Sequence, residues 1–293
     1  MPPPATPPPF QLDLGTGLSL ALAFSFMPAA QLLASRLLPR TVSKKYYWIF
    51  TWCVYDFLTH SIIEGSYLYH CFVSYETISN HSDHPSSSLL AKGPSFLGYT
   101  DRNYGSYYSQ GPMARLWQEY AKADSRWGGS DLNVISLELL TVLLAGPAAA
   151  YICYLIARIT NSSNVTEKAR LDARMWFIAV VLSTGELYGG FMTFAPEWLS
   201  GNTALAGDDP IYLWLYLVFF NGIWVFVPAW ILYLGYYELT GAFVNGAATF
   251  SETSIAEQAR SLSLSISYDR HEICLLSSYH ENNVEKLNEG PKP

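Results

Sequence analysis

The stretch IYLWLYLVFFNGIWVFVPAWILYL, residues 211–234, runs without a single Asp, Glu, Lys, Arg or His. A helix needs about 20 apolar residues to cross the hydrocarbon core of a bilayer, and this run exceeds that length. Working outward from it, the same pattern recurs at Met175–Trp198, Leu132–Ala157, Tyr46–Val73 and Leu14–Leu38. Lipid offers no partner to bare backbone, so such runs must be helices or strands of a closed barrel. They are too long and too continuous for barrel strands. The fold class read from the sequence is therefore an all-α membrane protein with five transmembrane helices.

Composition agrees. Half of the 293 residues are hydrophobic and only 14% are charged, where a soluble domain carries about a quarter. The net charge of −7 comes mostly from the tails and one long loop, and no basic run suggests nucleic acid. The four cysteines form no CxxC pair, so the sequence gives no sign of a metal site or a disulfide framework. No cofactor-binding motif is present either.

Three regions surround or interrupt the spans. Residues 1–13, MPPPATPPPFQLD, are Pro-rich and lack the basic start of a secretory signal peptide. A loop at 74–131 has a polar first half, expected to be mobile. In its second half, MARLWQEYAKADSR (113–126) places Leu116, Trp117 and Tyr120 on one side of a short helix, the pattern of an amphipathic helix at the membrane surface. The membrane domain then covers 14–240, and the Ser- and Glu-rich tail 241–293 reads as disordered. Basic residues crowd the first and third connections (Arg36, Arg40, Lys44, Lys45; Arg158, Lys168, Arg170, Arg174). Positive loops stay cytosolic, which predicts a lumenal N-terminus and long loop and a cytosolic C-terminus. Of the sequons at Asn80, Asn161 and Asn164, only Asn80 is then available for glycosylation.

The ionisable residues inside the spans carry the chemistry. Each costs about 2.5–3.5 kcal/mol at the centre of a helix on insertion scales, so it marks function by default. Asp56, His60 and Glu64 follow at intervals of four and form one stripe on the second span. Glu138 lies in the third span with Thr141 beside it, Glu186 in the fourth with Tyr188, and Asn221 and Trp224 one turn apart in the fifth. A carboxyl group in an apolar pocket holds its proton and can act as an acid, while an imidazole or carboxylate nearby takes a proton back. That pair of steps is double-bond migration through a carbocation, which a Trp face stabilises. The plainer reading is interhelical glue. It serves as well for Glu186, and solvation or pairing with His60 as well for Asp56. It serves poorly for His60, Glu64 and Glu138, where three costly groups converge.

FLTHSIIEG (57–65), LWQEYAKADSRW (116–127), LELLTVLLAGP (137–147), STGELYGG (183–190) and PIYLWLYLVFFNGIWVFVP (210–228) resemble the emopamil-binding protein family, the sterol Δ8–Δ7 isomerases. The resemblance implies five helices around a membrane-accessible cavity, a homodimer, and residence in the endoplasmic-reticulum membrane. It implies sterol as substrate, cationic amines as ligands and no cofactor. It assigns proton transfer to His60, Glu64 and Glu138, and substrate contact to Thr141, Asn221 and Trp224, with Tyr188 and Glu186 lining the same pocket. Glu64 would protonate the 8,9 double bond, and His60 with Glu138 would remove the neighbouring proton. The chain departs from the family in its longer loop, its acidic tail, the extra Asp56, and Glu186 where an amide is expected. A non-catalytic sterol or amine-drug binder, an isomerase of another polycyclic terpenoid and a proton-coupled transporter are the competing readings. A binder needs the cavity but no acid–base pair, and a transporter commonly carries repeated halves that this chain lacks.

Overall fold

The structure is a computed structural model that describes residues 10–78 and 96–288. It divides into two units, 1–236 and 237–293. In the first, α1 (Leu14–Leu37) opens with Asp13, whose side chain accepts the N–H of Thr16. Then come α2 (Lys44–Leu58), a π-helical turn over Thr59–Glu64, and α3 (Gly65–Val73), continuous from Lys44 to Val73. After the loop, α4 is Pro112–Tyr120 and α5 is Leu132–Leu140. A second π turn (Thr141–Ala145) leads into α6 (Gly146–Asn161), followed by α7 (Val165–Ser200). A third π segment (Tyr212–Phe219) runs into α8, Phe220–Asn288.

Among the described residues four helices are long and apolar enough to cross a membrane: Leu14–Leu37, Leu132–Asn161, Val165–Ser200 and Tyr212–Gln258. The expected second span is helical throughout but is not among them. Asp56, His60, Glu64 and a high share of Tyr and Trp make it polar by hydropathy, and Asp56, His60, Trp52, Tyr55 and Tyr67 are buried while Glu64 is half-buried. Packing is sequential, α1 on α2, α2 on α6, and α6 on α7.

The π turns have local causes. Pro147 has no N–H to return to the carbonyl four residues back, and the N–H of Gly146 reaches Thr141 instead, a wider ring. At Gly65 the N–H reaches back to His60 in the same way. The two turns pack on each other. A Cβ on Gly146 would stand 3.4 Å from that of His60, so any side chain larger than a methyl would press on the imidazole.

The loop departs from its expected form. Tyr75–Thr77 pairs antiparallel with Arg102–Tyr104, and the intervening stretch with Asn80 lies largely outside the described residues. Helix α4 does not present its apolar side to the surroundings. Leu116 and Trp117 are buried against the bundle, Trp117 stacks on Trp127 at 4.8 Å, and its indole N–H donates to Ser66 at 2.9 Å. The three aromatic rings at Trp117, Tyr120 and Trp127 bury more area against one another than a surface position would. The tail also differs from its expected disorder, for α8 is helical to Asn288. No Gly or Pro interrupts residues 247–288, so nothing local breaks the helix, although Phe243, Phe250 and Ile255 stand exposed.

Buried charge fastens the loop. Arg126 donates to both oxygens of Asp124 (2.9 and 2.6 Å) and to the carbonyl of Thr193 on α7 (2.8 Å). Outside the spans, Asp209 accepts the N–H groups of Phe10, Ile211 and Tyr212, which hold its carboxyl below the usual range. Arg126→Ala strands the buried Asp124 carboxylate and is expected to cost about 3–5 kcal/mol, the loss found when one partner of a buried pair is removed. Thermal unfolding in detergent measures it. A midpoint within a degree or two of wild type would show that the bridge does not anchor the loop.

Candidate functional site

The site is built on the π turns. Within Thr59–Glu64 the helix is wider by one residue, and His60 and Glu64 stay side by side on its inner face. Nδ1 of His60 contacts Oε2 of Glu64. The second π turn brings Thr141 across to them. Its Oγ1 lies 2.8 Å from Glu64 Oε2, 3.0 Å from Glu138 Oε2 and 3.1 Å from the Glu138 carbonyl. One hydroxyl proton cannot serve three acceptors at once. It donates to one carboxyl group and accepts from the other when that group is protonated. His60, Glu64, Thr141 and Glu138 thus form one continuous proton path between two helices.

The other imidazole nitrogen, Nε2, stands 3.0 Å from Asp56 Oδ1, at ion-pair distance but without hydrogen-bond geometry. The same oxygen accepts the indole N–H of Trp224 at 3.0 Å. Trp224 is held between Trp52 and Tyr55, both 5.5 Å away between ring centres, and His60 at 6.4 Å. Trp224 lines the cavity while its N–H is tied to Asp56.

His60, Glu64, Glu138, Thr141, Tyr55 and Trp224 line a cavity of about 900 Å³, near the upper end of the range for ligand pockets. Its walls are mostly apolar, with Tyr55, Leu116, Trp117, Leu144, Tyr216 and Phe220 among them. The eight site residues predicted from the sequence (His60, Glu64, Glu138, Thr141, Glu186, Tyr188, Asn221 and Trp224) all line it. Their conditions differ. His60 and Glu138 are buried, Thr141 and Trp224 are half-buried, and Tyr188 is 61% exposed at the cavity's edge. Asn221 spends its amide N–H groups on Tyr120 Oη and the carbonyls of Tyr216 and Leu217, at 2.9–3.0 Å, so its nitrogen braces α4 against the last crossing. Glu186 is buried with neither carboxyl oxygen hydrogen-bonded among the described residues.

Three features were beyond the sequence reading. Asp56 supports Trp224 across 168 residues of chain, which no local spacing reports. Tyr55 and Trp52 box the same ring, although in the sequence they look like any other span aromatics. Glu119 lines the cavity from α4 while paired with Lys122. Among the described residues, Asp56, His60 and Glu186 also offer ligand atoms within 4.8 Å of one another, the spacing a metal ion would need.

Residues 112–234 match the model of EXPERA, the expanded EBP superfamily. A probable 3-beta-hydroxysteroid-Delta(8),Delta(7)-isomerase of Oryza sativa subsp. japonica is 27% identical over 236 residues, 80% of this chain and 87% of the rice protein. The 3-beta-hydroxysteroid-Delta(8),Delta(7)-isomerase of Cavia porcellus is 30% identical over 130 residues, 44% of this chain and about half of its own length (52%). A protoglabretal synthase of Ailanthus altissima is 26% identical over 191 residues, 65% of this chain and 67% of the synthase. Glu138, Thr141, Glu186, Asn221 and Trp224 fall inside the matched region, and His60 and Glu64 precede it and meet its residues across the cavity. With its helical membrane fold, the chain is similar over residues 112–234 to the EXPERA, expanded EBP, superfamily and to proteins named as 3-beta-hydroxysteroid-Delta(8),Delta(7)-isomerases.

Proposed function

We propose that the protein is a sterol Δ8–Δ7 isomerase, an intramolecular C=C isomerase that needs no cofactor. The observation that carries the reading is the path His60–Glu64–Thr141–Glu138 along the wall of an apolar cavity with Trp224 beside it. In the reaction Glu64, protonated, gives its proton to C9 of the 8,9 double bond, leaving the cation at C8. A proton then leaves C7 for His60 or Glu138, and the 7,8 double bond forms. One proton is taken up and one released, so the site is restored by moving a proton back to Glu64, directly from His60 or through Thr141 from Glu138. Trp224 faces the cation, and such a contact is worth about 2 kcal/mol or more when water is excluded. The names of the rice and guinea-pig relatives support the same chemistry. The protoglabretal synthase name supports a second reading, the same proton chemistry on another polycyclic terpenoid.

On this reading the helix Lys44–Val73 is the fifth membrane crossing, since its polar stripe faces the cavity rather than lipid. The protein resides in the endoplasmic-reticulum membrane as a homodimer, with the N-terminus and the long loop lumenal and the C-terminus cytosolic. Cationic amines bind the cavity as mimics of the C8 cation.

Membranes containing the protein, given a Δ8-sterol in heavy water, should yield the Δ7 isomer with one deuterium at C9. Glu64→Gln should lower the rate by about 10²–10⁴-fold, the usual share of a positioned acid. Trp224→Leu should cost about thirtyfold if the ring supplies about 2 kcal/mol at the transition state. Isomer lacking deuterium, or full activity in Glu64→Gln, would remove this mechanism. For orientation, any N-glycan should sit on Asn80 and vanish in Asn80→Gln. A glycan on Asn161 or Asn164 would invert the topology.

A further inference from the structure

The proton path has a second end that the reaction above leaves unused. Asp56 is fully buried, and its Oδ2 has no hydrogen-bond partner among the described residues. Glu186 arrives from α7, is 7% exposed, and neither of its oxygens has a partner. The atoms offered by Asp56, Glu186 and His60 lie within 4.8 Å of one another. Two ionised carboxylates at that range in hydrocarbon repel, and Asp56 Oδ2 and both oxygens of Glu186 would have no donor among the described residues. One proton shared between them removes both faults. The protonated group donates, the other accepts, and the pair carries a single negative charge.

We propose that Asp56 and Glu186 share one proton and act as a positioning pair for His60. The pair's single negative charge balances a protonated imidazole, whose Nε2 stands 3.0 Å from Asp56. With that balance made locally, Glu64 can carry the proton it donates while Glu138 remains free to take the one that leaves C7. Asp56 also fixes the Trp224 indole through its N–H. The same acid thus sets the proton carrier and the ring that faces the cation. A metal ion would use the same three residues, but a structural zinc takes four ligands. Among the described residues no fourth His, Cys, Asp or Glu joins them.

The kinetic part of this inference rests on the isomerase reading, and the spectroscopic part does not. The purified protein, exchanged between light and heavy water, should show the carbonyl stretch of a buried carboxylic acid in its infrared difference spectrum. Glu186→Gln should diminish that band. In turnover, Asp56→Asn and Glu186→Leu should each lower kcat by about 10–100-fold with KM little changed, the scale of losing a histidine's supporting carboxylate. Glu186→Gln should recover most of the loss, because its amide donates to Asp56 as the acid does. An acid band unaltered in both Glu186→Gln and Asp56→Asn would overturn the proposal. So would Gln and Leu variants of equal kcat in folded protein, or stoichiometric bound metal lost in Asp56→Asn. Wild-type protein without isomerase activity but with the expected infrared change would sink the function while keeping the shared proton.

Discussion

Hydrocarbon does not solvate charge, and this protein places an imidazole and four carboxyl groups where water is scarce. Each must find its partner within the bundle, because the penalty for an isolated ion there is several kcal/mol. His60 therefore stands between Glu64 and Asp56, Thr141 bridges Glu64 and Glu138 from the facing helix, and Trp224 donates to Asp56 from the last crossing. These contacts tie three helical segments that the chain separates widely. The same requirement that makes the site reactive also makes it a clamp. Removing one member leaves the others without donors or without acceptors, so chemistry and architecture are not separable here.

The apolar walls do the complementary work. Trp117, Tyr120 and Trp127 close one side of the cavity as a stack, and Arg126 pins that stack to α7 through Thr193. Asn221 reaches Tyr120 from the far helix, so the wall and the last crossing are braced against each other. Water kept out by these surfaces strengthens every electrostatic contact inside. On the proposed mechanism, a cation formed beside Trp224 would meet a prearranged ring rather than a reorganising solvent.

Much of this was legible before any coordinates. Apolar run length gave the helices, and the interval of four placed His60 beside Glu64. The cost of charge in lipid marked Glu138 as a partner from another span. Hydropathy alone was poorer over Lys44–Val73, since Asp56, His60, Glu64 and the Tyr and Trp residues there make the helix look polar. The π turns were hidden because a wider helical ring leaves no residue-type signature beyond Pro147 and the glycines around it. The Asp56–Trp224 bond was hidden because it joins distant segments. The loop helix misled in one respect. An apolar stripe says that a face is buried, not whether lipid or protein buries it, and here Leu116 and Trp117 are covered by the bundle. The tail misled in another, for polar composition does not forbid a helix where no breaker occurs.

The two facing π turns amount to one surplus residue in each of two neighbouring helices, matched across a close approach at Gly146. A surplus residue is a frame shift in three dimensions. It rotates everything after it by about 100° relative to a regular helix. Deleting a residue from one turn alone would carry half of the proton path out of line, however conservative the surrounding side chains. A residue removed from one turn would have to be matched in the other for the two halves of the path to meet again.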